Sequence, residues 1–413
     1  MSLSEQALIH RLKIGLVPLP SLAIHAALFL PSLVMTAFSQ SSMAVGLTLY
    51  LFALCLYFTV DGSFWFWQIQ EGVVPRNLAL IVGLPVLVLA HAVVPLLNAS
   101  LFNVERFFSS YLLLCCMVLA AWGFAYQVNR LNVKTMSRWV EQALWFLMIN
   151  AMIGLTGVHL FPQMSSKPAG LFSEPSHLAL VLAPLLIYAC AIESRLHRLF
   201  LVFFLVWSLL IENLTTLSVV TLSFLVLFRF SLSRMILLFL LISGFVFTDL
   251  EYFTSRLVIS SESENLSVLV LLQGWDLAMA MLDETSNWGG GFQQFGFIDV
   301  SGDITAKIAL LSEDSLNLFD GGSTASKLVG EFGVFAFAGL VIYAVLFLWA
   351  FRKLRQVRVH PMQGGRLFLI SCLFAFVIEL FVRGVGYFSP GCFLALSATM
   401  GLLNAPQSHD SHI

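Results

Sequence analysis

The chain has 413 residues, of which 59% are hydrophobic and only 11% are charged, and its formal net charge is −2. Soluble domains carry about 25% charged residues, so this composition, with a mean hydropathy of +0.91, excludes a soluble globular protein. It predicts an all-α polytopic membrane protein. The charge gives no reason to expect a nucleic-acid partner. All six cysteines lie in apolar segments, which is typical of buried side chains rather than of disulfides or a metal site.

A helix that crosses a bilayer needs about 20 mainly apolar residues. The sequence accordingly predicts about 12 transmembrane helices, which cover residues 15–38, 42–60, 77–97, 107–126, 142–161, 174–192, 199–212, 214–229, 234–249, 328–351, 367–388 and 390–404. The chain then divides into a membrane region of helices 1–9 (residues 1–249), a hydrophilic loop (250–327), a membrane region of helices 10–12 (328–404) and a short tail (405–413).

The distribution of basic residues gives this topology a direction. If the N-terminus is cytoplasmic, alternation of the helices places fifteen of the 21 Lys and Arg residues on the cytoplasmic side, as the positive-inside rule requires. Both termini are then cytoplasmic. The loop 250–327 and the start of the sixth helix lie on the external side.

The external loop is long and acidic, with eleven acidic and only three basic residues. Loops of this length without obvious structure are usually functional. Apolar residues recur near helical spacing between Asn265 and Glu284, which predicts an amphipathic helix lying over the external opening.

The sixth predicted helix begins with the polar sequence GLFSEPSHLA, residues 170–179. Proline suits a first helical turn, and an acid there complements the helix dipole, so Ser173 or Glu174 is a candidate helix cap. Charges at a membrane segment are also functional candidates. His177 lies three residues beyond Glu174, on the same helical face. We therefore keep two interpretations of Glu174, as a cap and as a catalytic carboxylate, and the two are compatible.

A second polar sequence, IELFVRGVGYFSPG (residues 378–391), lies near the C-terminus. Glu379 and Arg383 are four residues apart, so one interpretation is an ion pair within the membrane. Arg383 also lies near the external end, and its planar guanidinium suits a phosphate or pyrophosphate. The glycines that follow, together with Tyr387, would let the backbone and a ring approach a ligand.

The external loop supplies the remaining candidates for ligand binding. The segment WGGGFQQFG offers Trp288, Gln293 and Gln294, and aromatic rings beside amides are typical of sugar-binding surfaces; a structural turn is the alternative. Arg256 is the only arginine of the loop, and Lys327 lies where the tenth helix opens with the sequence GGSTASK. Capping by serine is the simplest interpretation of that opening.

In the order and spacing of these segments, from about residue 165 to 390, the chain resembles the bacterial O-antigen polymerase (Wzy-type) and O-antigen ligase superfamily. The shared features are GLFSEPSHLA at a helix start, the loop segment GWDLAMAMLDETSNWGGGFQQFG, SKLVGEFG leading into a helix, and FVRGVGYF. Ligase-type members carry a histidine before the post-loop helix, and this chain has none between His197 and His360. This departure disfavours the ligase, but the paired RX10G loops of some polymerases are not evident either.

The resemblance implies a GT-C-type glycosyltransferase in the bacterial inner membrane, with its active site in the periplasm. Its substrates would be oligosaccharides linked to undecaprenyl pyrophosphate, which are transferred with inversion to the non-reducing end of a lipid-linked repeat unit. A polysaccharide chain-length regulator and membrane lipids are expected partners. The alternatives are a ligase that transfers the polymer to lipid A-core, a lipid-linked-sugar flippase or transporter, and a channel or structural membrane protein, for which the clustered polar segments would be surplus. For the flippase, repeated halves would be expected, and none is visible.

In this scheme Glu174 is the first candidate for the general base and His177 the second, and Arg383 stabilises the departing pyrophosphate. We expect substrate contacts from Arg256, Lys327, Tyr387, Gln293, Gln294, Trp288 and Glu379. No metal-binding motif is evident, so we expect a metal-independent reaction without a cofactor.

Overall fold

The computed structural model describes residues 19–60, 73–98, 102–157, 161, 169–228, 263, 265–297, 303–311 and 318–403. Within these ranges the chain forms fourteen α-helices, a short 3₁₀ turn and no β-strand, which confirms the all-α class. The helices are α1 (Leu19–Ala37), α2 (Ala44–Val60), α3 (Val73–Asn98), α4 (Val104–Asn129), α5 (Val133–Leu155), α6 (Pro175–Ala191), α7 (His197–Leu210), α8 (Leu214–Leu227), α9 (Leu266–Glu284), α10 (Asp303–Leu311), α11 (Thr324–Phe332), α12 (Val334–Gln356), α13 (Gly364–Phe381) and α14 (Pro390–Leu403), with the 3₁₀ turn at Leu318–Asp320 before α11.

Five described helices, namely α3, α4, α9, α12 and α13, are long and apolar enough to cross a membrane. Six more helices are apolar but shorter. α12 carries an outward apolar face that includes Val341, Ile342 and Val345, each more than 60% exposed, and such a face is stable only against lipid or another apolar partner. These features are those of a helical membrane protein. The predicted ninth span, 234–249, lies outside the described residues.

Several predicted boundaries differ from the structure. The predicted fifth span, 142–161, is α5, which begins earlier and ends earlier, at Val133–Leu155. The predicted tenth span, 328–351, consists of α11 and α12, which meet at Gly333, a residue with φ of +56°. A Cβ atom there would lie 2.1 Å from the Asn287 carbonyl oxygen, so the break requires a glycine at a close backbone approach. Within the predicted eleventh span, 367–388, the helix ends at Phe381.

Helix α6 is the centre of the bundle. All of its residues except Leu180 are buried, and it packs against α5, α8 and α13. Its sequence is apolar on every side, which is typical of a helix that is surrounded by protein. The polar residues at its N-terminal end are therefore carried into the interior of the molecule, next to the C-terminal end of α13.

The short helix α11 connects the 265–297 region to the bundle, because it packs against α9 on one side and α13 on the other. Ser323 caps it by accepting a hydrogen bond from the Ser326 N–H at 3.2 Å, as the serine-capping interpretation predicts. The Gly384 N–H, beyond the end of α13, donates to the Gly322 carbonyl at 3.1 Å. This contact ties the start of α11 to the chain that carries Arg383.

Candidate functional site

A cavity of about 300 Å³ lies at the N-terminal end of α6. Its walls come from the turn between α1 and α2, the first turn of α6, α9, the 3₁₀ turn and the chain after α13. The lining residues are Met35, Ser41, Ser42, Met43, Ser173, Glu174, His177, Val270, Asp320, Gly322, Arg383, Gly384 and Val385. All three residues predicted to be catalytic, from two distant parts of the sequence, therefore line one cavity.

The segment that enters α6 is fixed by a buried side chain of α5. The Asn150 amide donates to the Ala169 carbonyl at 3.0 Å and accepts from the Leu171 N–H at 2.7 Å. Pro175 then occupies the first helical turn, and the His177 N–H donates to the Glu174 carbonyl at 3.2 Å. These contacts hold the polar end of α6 in one conformation.

Glu174 occupies the N-cap position of α6, but its side chain makes no capping hydrogen bond. The position agrees with the cap interpretation, whereas the contacts of the carboxylate contradict it. Glu174 Oε1 instead accepts hydrogen bonds from Arg383 Nη2 and Ser176 Oγ, both at 2.6 Å, and lies 3.0 Å from His177 Nε2. One carboxylate oxygen thus joins a guanidinium, a hydroxyl and an imidazole.

The charge state of Glu174 follows from these neighbours. Burial raises the pKa of the Glu174 carboxyl, but His177, Arg383 and Ser176 outweigh burial and hold that pKa well below its usual range. Favourable charges and donated hydrogen bonds both stabilise the ionised form. Glu174 is therefore a carboxylate at neutral pH.

His177 is almost completely buried and is held from both sides. Its Nδ1 atom lies 2.7 Å from Ser173 Oγ, and its Nε2 atom faces Glu174. The three side chains come from within five consecutive residues around the start of α6. They form a serine–imidazole–carboxylate series on the wall of the cavity.

Arg383 does not form the ion pair with Glu379 that the four-residue spacing suggests. α13 ends at Phe381, and the N–H groups of Val382 and Arg383 both donate to the Ile378 carbonyl. The chain therefore leaves the helix before Arg383, and the guanidinium crosses to Glu174, 209 residues earlier in the sequence.

Glu379 itself remains inside α13, where it is buried. It accepts a hydrogen bond from Ser389 Oγ and lies 3.5 Å from Cys392 Sγ. It lines a separate, much smaller cavity between α6, α13 and α14. Glu379 therefore does not line the cavity that holds Arg383, so a substrate bound in that cavity would not contact it.

Lys327 lies behind the cavity wall and is only 1% exposed. Its ammonium group donates to the Phe319 carbonyl, lies 3.8 Å from Asp320 Oδ1 and 4.0 Å from Glu331 Oε1, and lies over the ring of Tyr387. Both Lys327 and Tyr387 are buried beside the site. In this conformation they support its wall rather than line it.

The segment with Trp288, Gln293 and Gln294 is docked onto the protein. Trp288 stacks on the His91 ring at 5.4 Å and donates to the His91 carbonyl. The Gln294 amide bonds to both the N–H and the carbonyl of Asn103, at 2.7 and 3.1 Å.

The Gln293 side chain accepts from Arg106 Nη2 at 3.4 Å. None of the three predicted sugar-binding residues lines the 300 Å³ cavity, and their predicted substrate contacts remain predictions. Arg256 lies outside the described residues.

Asp320 is a cavity residue that the sequence did not identify. It is one of eleven acidic residues in the loop, and nothing in its local sequence separates it from the others. Its position becomes evident only when the 3₁₀ turn packs against the end of α13. In the described ranges, no group of three or more His, Cys, Asp or Glu side chains is arranged to hold a metal ion, and metal independence stays a prediction.

In comparisons with known proteins, the chain has no significant match to any family model, curated protein or solved structure.

Proposed function

We propose that the protein is a polysaccharide polymerase of the O-antigen (Wzy) type, a membrane glycosyltransferase that uses a donor linked to undecaprenyl pyrophosphate. The observation that carries this proposal is the contact between Arg383 and Glu174 at the wall of the 300 Å³ cavity. It joins two of the four sequence segments on which the resemblance to that family depends. The proposal includes the finer topology of 12 spans in a GT-C-type architecture, with the cavity on the periplasmic side of a bacterial inner membrane.

The size of the cavity fits the reacting end of such a substrate. Ligand pockets commonly have volumes of about 300–1,000 Å³, and this cavity lies at the lower limit of that range. It would hold the sugar and pyrophosphate at the reacting bond, while the rest of the glycan and the polyprenyl chain extend outside.

Arg383 is the group that would stabilise the leaving pyrophosphate. Its Nη2 atom is engaged by Glu174, but its buried Nε atom has no hydrogen-bond partner among the described residues. A buried donor without a partner is costly, and a phosphate oxygen would satisfy it. When the bond between the anomeric carbon and the pyrophosphate oxygen breaks, the electron pair stays with the pyrophosphate, where the guanidinium compensates the charge.

His177 is the base that the contacts favour, ahead of Glu174. The Glu174 carboxylate already accepts hydrogen bonds from Arg383 and Ser176, and its low pKa makes it a weak base. A carboxylate beside an imidazole stabilises the imidazolium that forms when the histidine takes a proton. In the proposed reaction the acceptor hydroxyl attacks the anomeric carbon, its proton goes to His177, and Glu174 holds both His177 and Arg383 in place.

The test is gel analysis of lipopolysaccharide from a deletion strain that expresses each variant. Arg383→Ala should leave lipid A-core with a single repeat unit, and wild-type protein should restore the ladder. Arg352→Ala is the matched control, because Arg352 is an exposed arginine at the far end of α12, and it should support a normal ladder. A normal ladder from Arg383→Ala at wild-type expression would refute the role of Arg383.

The same gels separate the proposed activity from its alternatives. Core with one repeat in the deletion strain supports a polymerase. Core alone, with lipid-linked polymer accumulating in the membrane, would identify a ligase instead. Repeat units that accumulate on the cytoplasmic side would identify a flippase, and both of these results would overturn the proposal.

A further inference from the structure

Ser173 has contacts that a helix cap or a simple surface serine does not require. It is half-buried and lines the cavity, and its Oγ atom lies 2.7 Å from His177 Nδ1. The opposite nitrogen of the same imidazole lies 3.0 Å from the Glu174 carboxylate. A hydroxyl next to a base that is oriented by a third group is the arrangement that activates nucleophilic serines.

The hydrogen-bond directions follow from the chemistry of the three groups. The Glu174 carboxylate can only accept, so in the neutral tautomer of His177 that fits both contacts the ring proton lies on Nε2 and is donated to Glu174. The Nδ1 atom then has a free lone pair and accepts. The Ser173 hydroxyl is therefore the donor to Nδ1, and its oxygen lone pairs remain available to the cavity.

We propose that Ser173 is an activated hydroxyl, a position where a proton passes from the cavity to His177. For the activity proposed above, on which this step rests, the acceptor hydroxyl gives its proton to Ser173 Oγ while Ser173 gives its own proton to His177 Nδ1. The acceptor oxygen forms its bond to the anomeric carbon, and the pyrophosphate leaves with the electron pair. Ser173 is regenerated, and the imidazolium is stabilised by Glu174.

The local structure supports this role because the three groups are held by separate constraints. Pro175 sets the first turn of α6, the His177 ring is 95% enclosed, and Arg383 bonds to the same Glu174 oxygen that His177 faces. Rotation of the imidazole away from Ser173 would break its contact with Glu174 as well. The pair is therefore preorganised, as a proton-transfer step requires.

The first experiment treats the purified full-length protein in detergent with an alkyl fluorophosphonate and locates the adduct by peptide mass spectrometry. The Ser173 oxygen attacks phosphorus, the P–F bond breaks, fluoride leaves, and the proton goes to His177. We expect the adduct on Ser173 and not on Ser42. Ser42 lines the same cavity but accepts its hydrogen bond from the Ala44 N–H, so it serves as an internal control.

Three variants define the role of the imidazole. His177→Gln retains the Ser173 hydroxyl, and its labelling rate should fall at least about 100-fold, because a positioned base contributes about 10²–10⁴-fold. Ser173→Ala should not label, and Ser42→Ala should label as wild type does. An unlabelled Ser173 in folded wild-type protein, equal labelling of Ser42, or wild-type labelling of His177→Gln would each overturn the activated hydroxyl.

The second experiment is the gel analysis of lipopolysaccharide from strains that express the Ser173 variants. Because labelling needs no glycan, comparing the two experiments separates this proposal from the polymerase activity. If the activity is absent but Ser173 labels, the activated serine stands and the polymerase proposal fails. If Arg383→Ala loses the ladder while Ser173→Ala keeps full chain length, the polymerase proposal stands and the relay fails. Ser173→Thr retains a hydroxyl and should restore the chain length that Ser173→Ala loses. A purely steric role of Ser173 does not predict that the threonine variant makes longer chains than the alanine variant.

Discussion

The carboxyl group of Glu331 is the anchor on which the docking of residues 286–297 depends, and its replacement by glutamine tests this directly. Glu331 is fully buried on α11. Its Oε2 atom accepts from the Gln293 N–H at 2.9 Å, and its Oε1 atom accepts from the Phe295 N–H at 3.0 Å. Glu331→Gln keeps the shape of the side chain but replaces one acceptor by an NH₂ group.

The variant changes the partners of two backbone N–H groups and also removes the charge 4.0 Å from Lys327 Nζ. The magnitude for the docked segment follows from the N–H groups alone. An amide oxygen can satisfy one of the two backbone N–H groups, and the NH₂ group then faces the other donor. A buried donor that loses its partner costs about 1–3 kcal/mol, so the docked segment should be destabilised by about 2 kcal/mol relative to the undocked one. Because about 1.4 kcal/mol corresponds to a factor of ten, the undocked population should rise about 30-fold.

Amide hydrogen exchange read by mass spectrometry measures this population in the full-length protein. Peptides covering residues 289–297 should exchange about 30-fold faster in Glu331→Gln, while peptides from the core of α6 should be unchanged. Asp283→Asn is the control, because Asp283 is an exposed carboxyl of α9, and it should leave the exchange as in wild type. Exchange within a factor of about three of wild type in folded Glu331→Gln would refute the anchoring argument.

Two further predictions concern acid sensitivity and close packing. Burial raises the pKa of the Glu174 carboxyl, but the neighbouring imidazole and guanidinium hold this pKa well below the ordinary value of 4.5. The ionised carboxylate therefore stabilises the folded protein above pH 4.5, and this stabilisation is lost as the pH falls below that value. The unfolding temperature should therefore drop on acidification, and the drop should be smaller in Glu174→Gln; equal drops would contradict this. In Gly391→Ala the new Cβ atom would lie 1.8 Å from Glu379 Oε2, which should cost about 1–3 kcal/mol and lower the unfolding temperature. Gly83→Ala, where nothing lies within 4 Å, should leave it unchanged or raised, and equal melting of the two variants would count against the packing argument.

The apolar composition was enough to predict the all-α class and most of the helices, because both follow from local properties. Twenty apolar residues span a bilayer whatever their neighbours are, and the predicted last span, 390–404, agrees with α14 to within one residue. The predicted helix at Asn265–Glu284 is likewise present as α9. The break at Gly333 was missed because it depends on the close approach of the Asn287 carbonyl from a distant part of the chain.

The candidate site was only partly predictable for the same reason. Glu174, His177 and Arg383 were identified from their charges within or beside apolar segments, where polar groups are expensive. The three-residue spacing of Glu174 and His177 predicts that they share a helical face, but the contact of Arg383 with Glu174 could not be derived, because a pairing across 209 residues leaves no local pattern. Ser173 was identified only as a candidate cap. Its contact with His177 depends on the orientation of the ring, whose other nitrogen faces Glu174.

The partner of Arg383 shows how the end of a helix decides which side chains meet at the cavity. The i,i+4 spacing favours a pair with Glu379 only while the helix continues through both residues. α13 stops at Phe381, so Glu379 turns into the bundle toward Ser389 and Arg383 is free to cross to α6. Non-helical backbone within a membrane protein is tolerated where other protein groups satisfy it or where it lines a cavity. The Gly384 N–H meets the first condition by donating to Gly322, and the cavity beside Arg383 meets the second. The interruption that makes Arg383 available therefore also creates the space in which a substrate would reach it.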